Sequence, residues 1–377
     1  MNVTIIGGGG IGSAAAADIS LLDGMVVTLL TSKPEKFSGI LTIEDWERET
    51  EFKSNPINIT SDVKNAISAA DVILCTVPSD ARESYIKKMA PYLKKDVFLG
   101  FIPGCGGVEF MCGELNDKGA IVFGISRVQV NCKAIEYGKK YKCKSRKKEL
   151  TYSAVNTIHN SKVGELLERL FNVPCKELHN YMEVAFVPGN PILHTSRMMT
   201  LFKDYKEGVF YNKIPLFYYE WEDESSRRLL ACDEDLQTIC RAYSALDLSG
   251  IRFNKEHYES ENIATLTEKL RSIKTFQEVK MPMIQTEEGY IPDLNSRYFT
   301  EDFPYGVVNL KGFGLIAGVP TPNLDELLFW YQRLANKEYF TESGGLGRDI
   351  ECSSAPQKYG YTTMDELVSL YHSSESK

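Results

Sequence analysis

No stretch of the sequence approaches the roughly 20 consecutive apolar residues that a membrane-spanning helix requires, so no membrane partner is expected. The opening residues, Met1-Asn2-Val3-Thr4-Ile5-Ile6-Gly7, lack the basic start and long apolar core of a secretory signal and read as a strand. An excess of cations is missing too. Lys and Arg number 43 against 51 Asp and Glu, a net charge of −8 that argues against nucleic acid as a partner. The nine cysteines and five histidines are scattered without CxxC pairs or zinc-ligand spacing, so neither a disulfide framework nor a metal site is expected. Such a chain suits a reducing cytoplasm, as a monomer or homodimer. One local exception to the acidic balance runs from Lys133 to Lys148, with Lys139, Lys140, Lys142, Lys144, Arg146 and Lys147 between, and reads as a solvated hairpin.

What is present points to two domains, because 377 residues exceed one ordinary core. In the first half, short apolar runs alternate with helical patterns, the mark of a parallel sheet with crossover helices. Strands are expected at 2–6, 26–30, 71–76, 97–102 and 120–123, with a first crossover helix at 11–22. A late strand at 151–156 could form a hairpin with the basic segment. The Pro and Gly of Val187-Pro188-Gly189-Asn190-Pro191 punctuate a change of regime. Beyond it, amphipathic helical stretches take over at 225–246, 263–273 and 324–334. The expected architecture is a Rossmann dinucleotide-binding domain over 1–180 and an all-helical domain over 181–377. The polar tail from Ser373 is expected to fray.

The strongest local motif is Gly7-Gly8-Gly9-Gly10-Ile11-Gly12. It contains GxGxxG, follows an apolar strand and opens an alanine-rich helix, the context that gives the pattern meaning. Gly7 permits the tight turn, Gly9 lets backbone approach a pyrophosphate, and Gly12 lets helix pack closely on strand. The helix N-terminus then offers amides and partial positive charge to phosphates. A carboxylate at the end of the second strand would select NAD by binding ribose hydroxyls. Here the strand ends in Thr31-Ser32-Lys33, with Lys36 beyond, which favours NADP over NAD. Thr76-Val77-Pro78 closes a later strand, where the cofactor is expected to pass. Pro103-Gly104-Cys105-Gly106-Gly107 is a second such turn, and Cys105 has no basic neighbour in sequence that would make it a nucleophile.

Three segments of the second half carry candidate chemistry: Asn190-Pro191-Ile192-Leu193-His194, Phe217-Tyr218-Tyr219-Glu220-Trp221, and Arg297-Tyr298-Phe299-Thr300-Glu301-Asp302-Phe303-Pro304, followed by Gly318-Val319-Pro320-Thr321-Pro322. In this order they resemble the opine dehydrogenase family, which includes the octopine and nopaline dehydrogenases. Asn190 and His194 match its Asn followed four residues later by His. Arg297 and Asp302 match its Arg followed five residues later by Asp. The resemblance implies a catalytic His194–Asp302 pair in a cleft between the domains. The reaction it implies is reductive condensation of an amino acid with a 2-oxo acid such as pyruvate, using NADP or NAD. The residue types suit that chemistry. Imine reduction moves a proton as well as a hydride, and a histidine beside a carboxylate can carry it. Arg297 can fork onto a substrate carboxylate.

Structural alternatives stand beside these roles. His194 after a proline could be a packed histidine, Asp302 a helix cap and Arg297 a surface partner of Glu301. Family members often carry a polar segment ending in Cys-Arg; here Gln129 and Cys132 are candidates to line the substrate cleft, and Lys133 replaces the arginine. Tyr218, Tyr219 and Trp221 read as core of the helical domain and not as a substrate cage. Rival functions are a ketopantoate reductase-like, glycerol-phosphate or 2-hydroxy-acid dehydrogenase, or a nucleotide sensor without turnover. The first group usually places a lysine early in the helical domain, and residues 181–199 contain none.

Overall fold

The Val- and Ile-rich runs of the first half become the centre of an eight-stranded sheet in a computed structural model that describes residues 1–187 and 189–372. Its strands are β1 (Asn2–Ile6), β2 (Val26–Leu30), β5 (Asn58–Thr60), β6 (Val72–Cys75), β7 (Phe98–Phe101), β8 (Ile121–Ile125), β11 (Leu150–Ala154) and β12 (Cys175–Glu177). The order is β12-β11-β8-β7-β6-β1-β2-β5, parallel from β5 through β8. Every residue of β6 and β8 is buried, as both-face coverage of a parallel sheet requires. The first helix, Gly10–Ser20, buries four consecutive alanines, Ala14 to Ala17, so the helix axis can lie close to the strands.

Strand β11 corrects one expectation. It pairs antiparallel with β8 and not with the basic segment, because Leu150, Tyr152 and Ala154 belong to the main-sheet core. The basic segment instead forms its own hairpin, β9 (Val130–Glu136) with β10 (Lys140–Arg146), inside a second sheet of order β4-β3-β10-β9. The partners β3 (Thr42–Asp45), which is acidic, and β4 (Thr50–Lys53), which carries Glu51 and Lys53, were not foreseen. The outer face is solvated and neutralised: Lys140 lies 2.7 Å from Glu51, and Lys142 sits 3.7 Å from the centre of the Trp46 ring. The inner face is core, with Tyr141 and Cys143 fully buried. Arg146 ties this face to Asp18 of the first helix and to Asp45 of β3, each at 2.6 Å.

The chain divides into compact units of Met1–Phe186 with residues from Ser369 onward, and Val187–Val368. The change of regime expected near residue 180 precedes this by one short helix, Tyr181–Phe186. That helix buries Tyr181, Met182, Val184 and Phe186 and packs on β8 and β11. Pro188 and the polar tail from Ser373 lie outside the described residues.

The second unit is helical and carries one small ribbon besides, β13 (Met283–Gln285) with β14 (Tyr290–Pro292). Its longest helix, Asp223–Ala242, contacts the helices Asn190–Phe202, Ile263–Ser272, Val308–Ala317 and Pro322–Ala335. Asp235 on that helix accepts from the backbone amides of Asn323 and Leu324, supplying the cap that the Pro322–Ala335 helix lacks. The Gly318-to-Pro322 motif is the turn between two helices. Gly318 ends one in the left-handed region and Pro322 starts the next. No helix among the described residues is long and apolar enough to cross a membrane.

Candidate active site

Pro191 sits in the first turn of the Asn190–Phe202 helix, where a missing amide costs nothing. His194 follows one turn later, on the same side as Asn190. Its Nδ1 lies 2.8 Å from Oδ2 of Asp302, across 108 residues of sequence. Asp302 precedes a π-turn, Phe303–Val307, in which Val307 donates to the Asp302 carbonyl at 2.9 Å. Such turns often sit at functional sites because they redirect one side chain. The Asp302 carboxyl caps no helix end, so the capping alternative does not hold.

The other ring nitrogen, Nε2, faces the hydroxyl of Tyr218 at 3.2 Å. Tyr298 and Phe217 present edge-to-face contacts to the imidazole at 4.7 and 5.5 Å between centroids. The expected core role of the Phe217-to-Trp221 segment therefore needs refinement. Trp221 is buried, Tyr219 is 55% exposed, and Tyr218 is buried yet bonded to the candidate acid–base group. Sequence offered no sign of this contact beyond the hydroxyl itself. The segment is held by Arg197, one turn beyond His194 on the same helix. The Arg197 guanidinium is buried and donates to the carbonyls of Phe217 and Glu220 and to the Glu222 carboxylate. One helix thus fixes both partners of the His194–Tyr218 contact.

Burial pushes the Asp302 carboxyl above its ordinary value, and the adjacent His194 is the main opposing influence. Burial also pushes the Tyr218 phenol well up, so its hydroxyl keeps its proton at neutral pH. An ionised Asp302 accepts a hydrogen bond from Nδ1–H and leaves Nε2 as the nitrogen that exchanges a proton. Arg297 is exposed, and its Nε donates to Glu301 at 2.6 Å, the surface pairing considered from sequence. Asn190 is exposed at the helix start.

The glycine loop of the first unit has the shape its residues foretell. Gly7 has φ +113, and a Cβ there would meet the Thr76 hydroxyl at 2.8 Å. A Cβ on Gly12 would stand 2.0 Å from the Gly7 carbonyl oxygen, the close packing that only glycine allows. Gly9 has nothing within 4 Å of its Cβ position, so backbone is open to approach where a pyrophosphate needs it. Being a glycine at the N-cap, it also leaves the first-turn amides uncovered by any side chain. These residues fit a dinucleotide. Ser32 and Lys33 are exposed beyond β2, whereas Thr31 is buried and its hydroxyl accepts from the Lys33 amide. Thr76 spends its hydroxyl on the Ile6 carbonyl at 3.0 Å, Val77 is buried and Pro78 is the N-cap of the Ser79–Met89 helix. Gln129 donates to the Ile11 carbonyl, and the Cys132 backbone lies against Gly10, so both candidate cleft residues adjoin the glycine loop.

Comparison with known proteins matches both halves. Residues 177–335 fit the family described as NAD/NADP octopine/nopaline dehydrogenase, alpha-helical domain. Residues 3–149 fit the ketopantoate reductase PanE/ApbA family. The octopine dehydrogenase of Mizuhopecten yessoensis is 27% identical over 394 residues, spanning 98% of each chain. The opine dehydrogenase of Haliotis discus hannai is 29% identical, spanning 97% of this chain and 98% of its own. Solved octopine dehydrogenase, with NADH and L-arginine, superposes with a TM-score of 0.86 at 26% identity, covering 100% of this chain and 99% of that one. Its complex with NADH and pyruvate gives 0.85 at 25%, with the same coverage. Along nearly its whole length the chain is similar to opine dehydrogenases, and its helical half fits that family's model. The chain is therefore an NAD(P)-binding oxidoreductase of the CH–NH class. The ketopantoate reductase family model matches residues 3–149 alone, while a solved 2-dehydropantoate 2-reductase shares the fold over 89% of this chain with a TM-score of 0.59 at 14% identity.

Proposed function

We propose that this opine dehydrogenase joins the amine of an L-amino acid to the carbonyl of a 2-oxo acid, most simply pyruvate, with NADPH preferred over NADH. The observation that carries the reading is the 2.8 Å contact between His194 and Asp302 in the helical unit. The amine adds to the ketone, water leaves, and the resulting imine is reduced to a secondary amine. In balance, amino acid, oxo acid, reduced cofactor and one proton give opine, oxidised cofactor and water. The bound dinucleotide supplies the hydride, and the glycine loop with Ser32 and Lys33 would hold it. His194 gives a proton through Nε2 as the carbinolamine loses water, with Asp302 balancing the imidazolium. Arg297 leaves Glu301 and forks onto a substrate carboxylate. The octopine dehydrogenase complexes with NADH, L-arginine and pyruvate support the substrate classes. Preference for NADPH rests on the Thr31-Ser32-Lys33 strand end, which offers hydroxyls and an ammonium and no carboxylate.

The test is oxidation of NADPH or NADH with pyruvate, with and without a panel of amino acids. Turnover that needs both substrates is expected. Oxidation with the oxo acid alone would make the chain a 2-hydroxy-acid dehydrogenase, and no oxidation with any pair would make it a sensor. For the cofactor, Ser32→Asp is expected to shift preference toward NADH, and tighter NADH binding by the parent would overturn that part.

A further inference from the structure

The second sheet reaches the glycine loop at several points. The Tyr141 side chain, fully buried on β10, ends on the loop: its hydroxyl donates to the Gly8 carbonyl at 3.2 Å. The same hydroxyl accepts from the Gly138 amide at 3.0 Å, at the tip of the β9–β10 hairpin. Because Gly138 occupies the acceptor side, the phenol proton is directed at Gly8. A second hydroxyl, Ser13 in the first helix, donates to the same carbonyl at 3.2 Å. Nearby, a Cβ on Gly10 would stand 1.9 Å from the Cys132 carbonyl oxygen, and one on Gly138 would stand 2.2 Å from that of Lys36. Phe37 covers Gly8 and meets Tyr137 edge-on at 5.2 Å between centroids. The hairpin is thus packed on the loop by backbone, ring and hydroxyl together.

We propose that Tyr141, assisted by Ser13, is a positioning residue for the dinucleotide: it pins the Gly8–Gly9 peptide with its carbonyl inward and the Gly9 amide outward. In a trans peptide the carbonyl and the N–H point to opposite sides. Two buried donors on the Gly8 oxygen therefore fix which group faces the open side at Gly9. A flip would present a carbonyl dipole to an anionic pyrophosphate and withdraw a donor from it. Glycines on both sides of this peptide leave it little intrinsic barrier to such a flip. Every molecule in the flipped state is lost to binding, which raises the apparent dissociation constant by the fraction withdrawn.

The proposal rests on dinucleotide binding by this unit and goes beyond it. The test uses the full-length protein with NADPH and, separately, ADP-ribose, which carries the pyrophosphate without nicotinamide. Tyr141→Phe keeps the ring and deletes the donor. It is expected to weaken both ligands about tenfold, since a buried carbonyl loses a partner, while kcat at saturating NADPH stays within about threefold. Ser13→Ala, a small change in an alanine-rich helix, is expected to weaken both ligands less. It remains informative should Tyr141→Phe fold poorly. The double variant is expected to lose more than the product of the single losses, because the donor left in each single variant still partly holds the carbonyl. Equal affinities for parent, both single variants and the double variant would overturn this inference alone. No binding of either ligand by the parent would remove the dinucleotide reading and this inference with it.

Discussion

The hydroxyl of Tyr218 lies 3.2 Å from Nε2 of His194, across the ring from the 2.8 Å contact between Nδ1 and Asp302. Tyr218 therefore holds the nitrogen that must exchange a proton with substrate. A phenol donates to a neutral imidazole and accepts from an imidazolium, and the charged form makes the stronger bond. Tyr218→Phe is expected to lower kcat by roughly 10- to 100-fold, the range of a hydrogen bond to a charged group. An unchanged kcat with both substrates saturating would leave Tyr218 as packing only.

Removing the pair itself is expected to be more severe. His194→Ala should reduce kcat by roughly 10²–10⁴-fold, the usual worth of a positioned acid or base. Asp302→Asn keeps the shape but loses the charge that balances the imidazolium. Because the two act as one, the double variant is expected to resemble the worse single variant. NADPH affinity, measured by fluorescence titration, should persist in all three, since the glycine loop lies in the other compact unit. Near-normal turnover of His194→Ala with both substrates saturating would end the assignment.

Much of this was legible because the central strands are apolar on both faces. β1, β2, β6, β7 and β8 fall within two residues of their expected bounds. β3 and β4 hid because Thr42–Asp45 and Thr50–Lys53 are short and carry charged residues, and the strand that joins β3 to the rest of its sheet, β10, is almost 100 residues away in sequence. In β10 the alternation Lys140-Tyr141-Lys142-Cys143-Lys144 did signal one buried face, but the lysines drew the reading toward solvent. In the helical unit, resemblance to the opine dehydrogenase motifs pointed to His194 and Asp302 together. Tyr218 stood out in sequence only as part of an aromatic cluster read as core, and Arg197 did not stand out at all, because contacts across 24 and 20 residues through an irregular segment follow no period.

Arg297 offers its guanidinium to Glu301 at the surface of the helical unit. Arg297 is 68% exposed, so solvent screens the pair and it contributes little to stability; exchanging Glu301 for a substrate carboxylate therefore costs little. Arg297→Lys is expected to raise the KM for the oxo acid about tenfold or more while changing thermal stability by less than about 1 kcal/mol, because an ammonium cannot reproduce the fork. Initial rates at varied pyruvate, at fixed saturating amino acid, test this. An unchanged KM would show that another side chain holds the carboxylate.

Glu109 gives the first unit a pH-dependent stability. It is fully buried, and the Tyr371 hydroxyl donates to its Oε1 at 2.8 Å. Arg82, Cys112 and Tyr181 are the other titratable groups around it. Arg82 is itself buried and engaged with the carbonyls of Pro103 and Cys105. Burial outweighs these helpers and pushes the Glu109 carboxyl up to about 7. Between its ordinary value and about 7, the folded chain holds a proton that the unfolded chain has released. Stability must therefore fall as pH rises through that window and level off above it, by at most roughly 3 kcal/mol. Glu109→Gln keeps an acceptor for Tyr371 and removes the titration. Its thermal midpoint is expected to match or trail the parent's near pH 5 and to exceed it increasingly up to pH 8. Unfolding followed by circular dichroism at pH 5, 6, 7 and 8 measures the gap directly. A gap that stays constant across that range would mean the carboxyl is ionised throughout, with Arg82 and Tyr371 overcoming its burial.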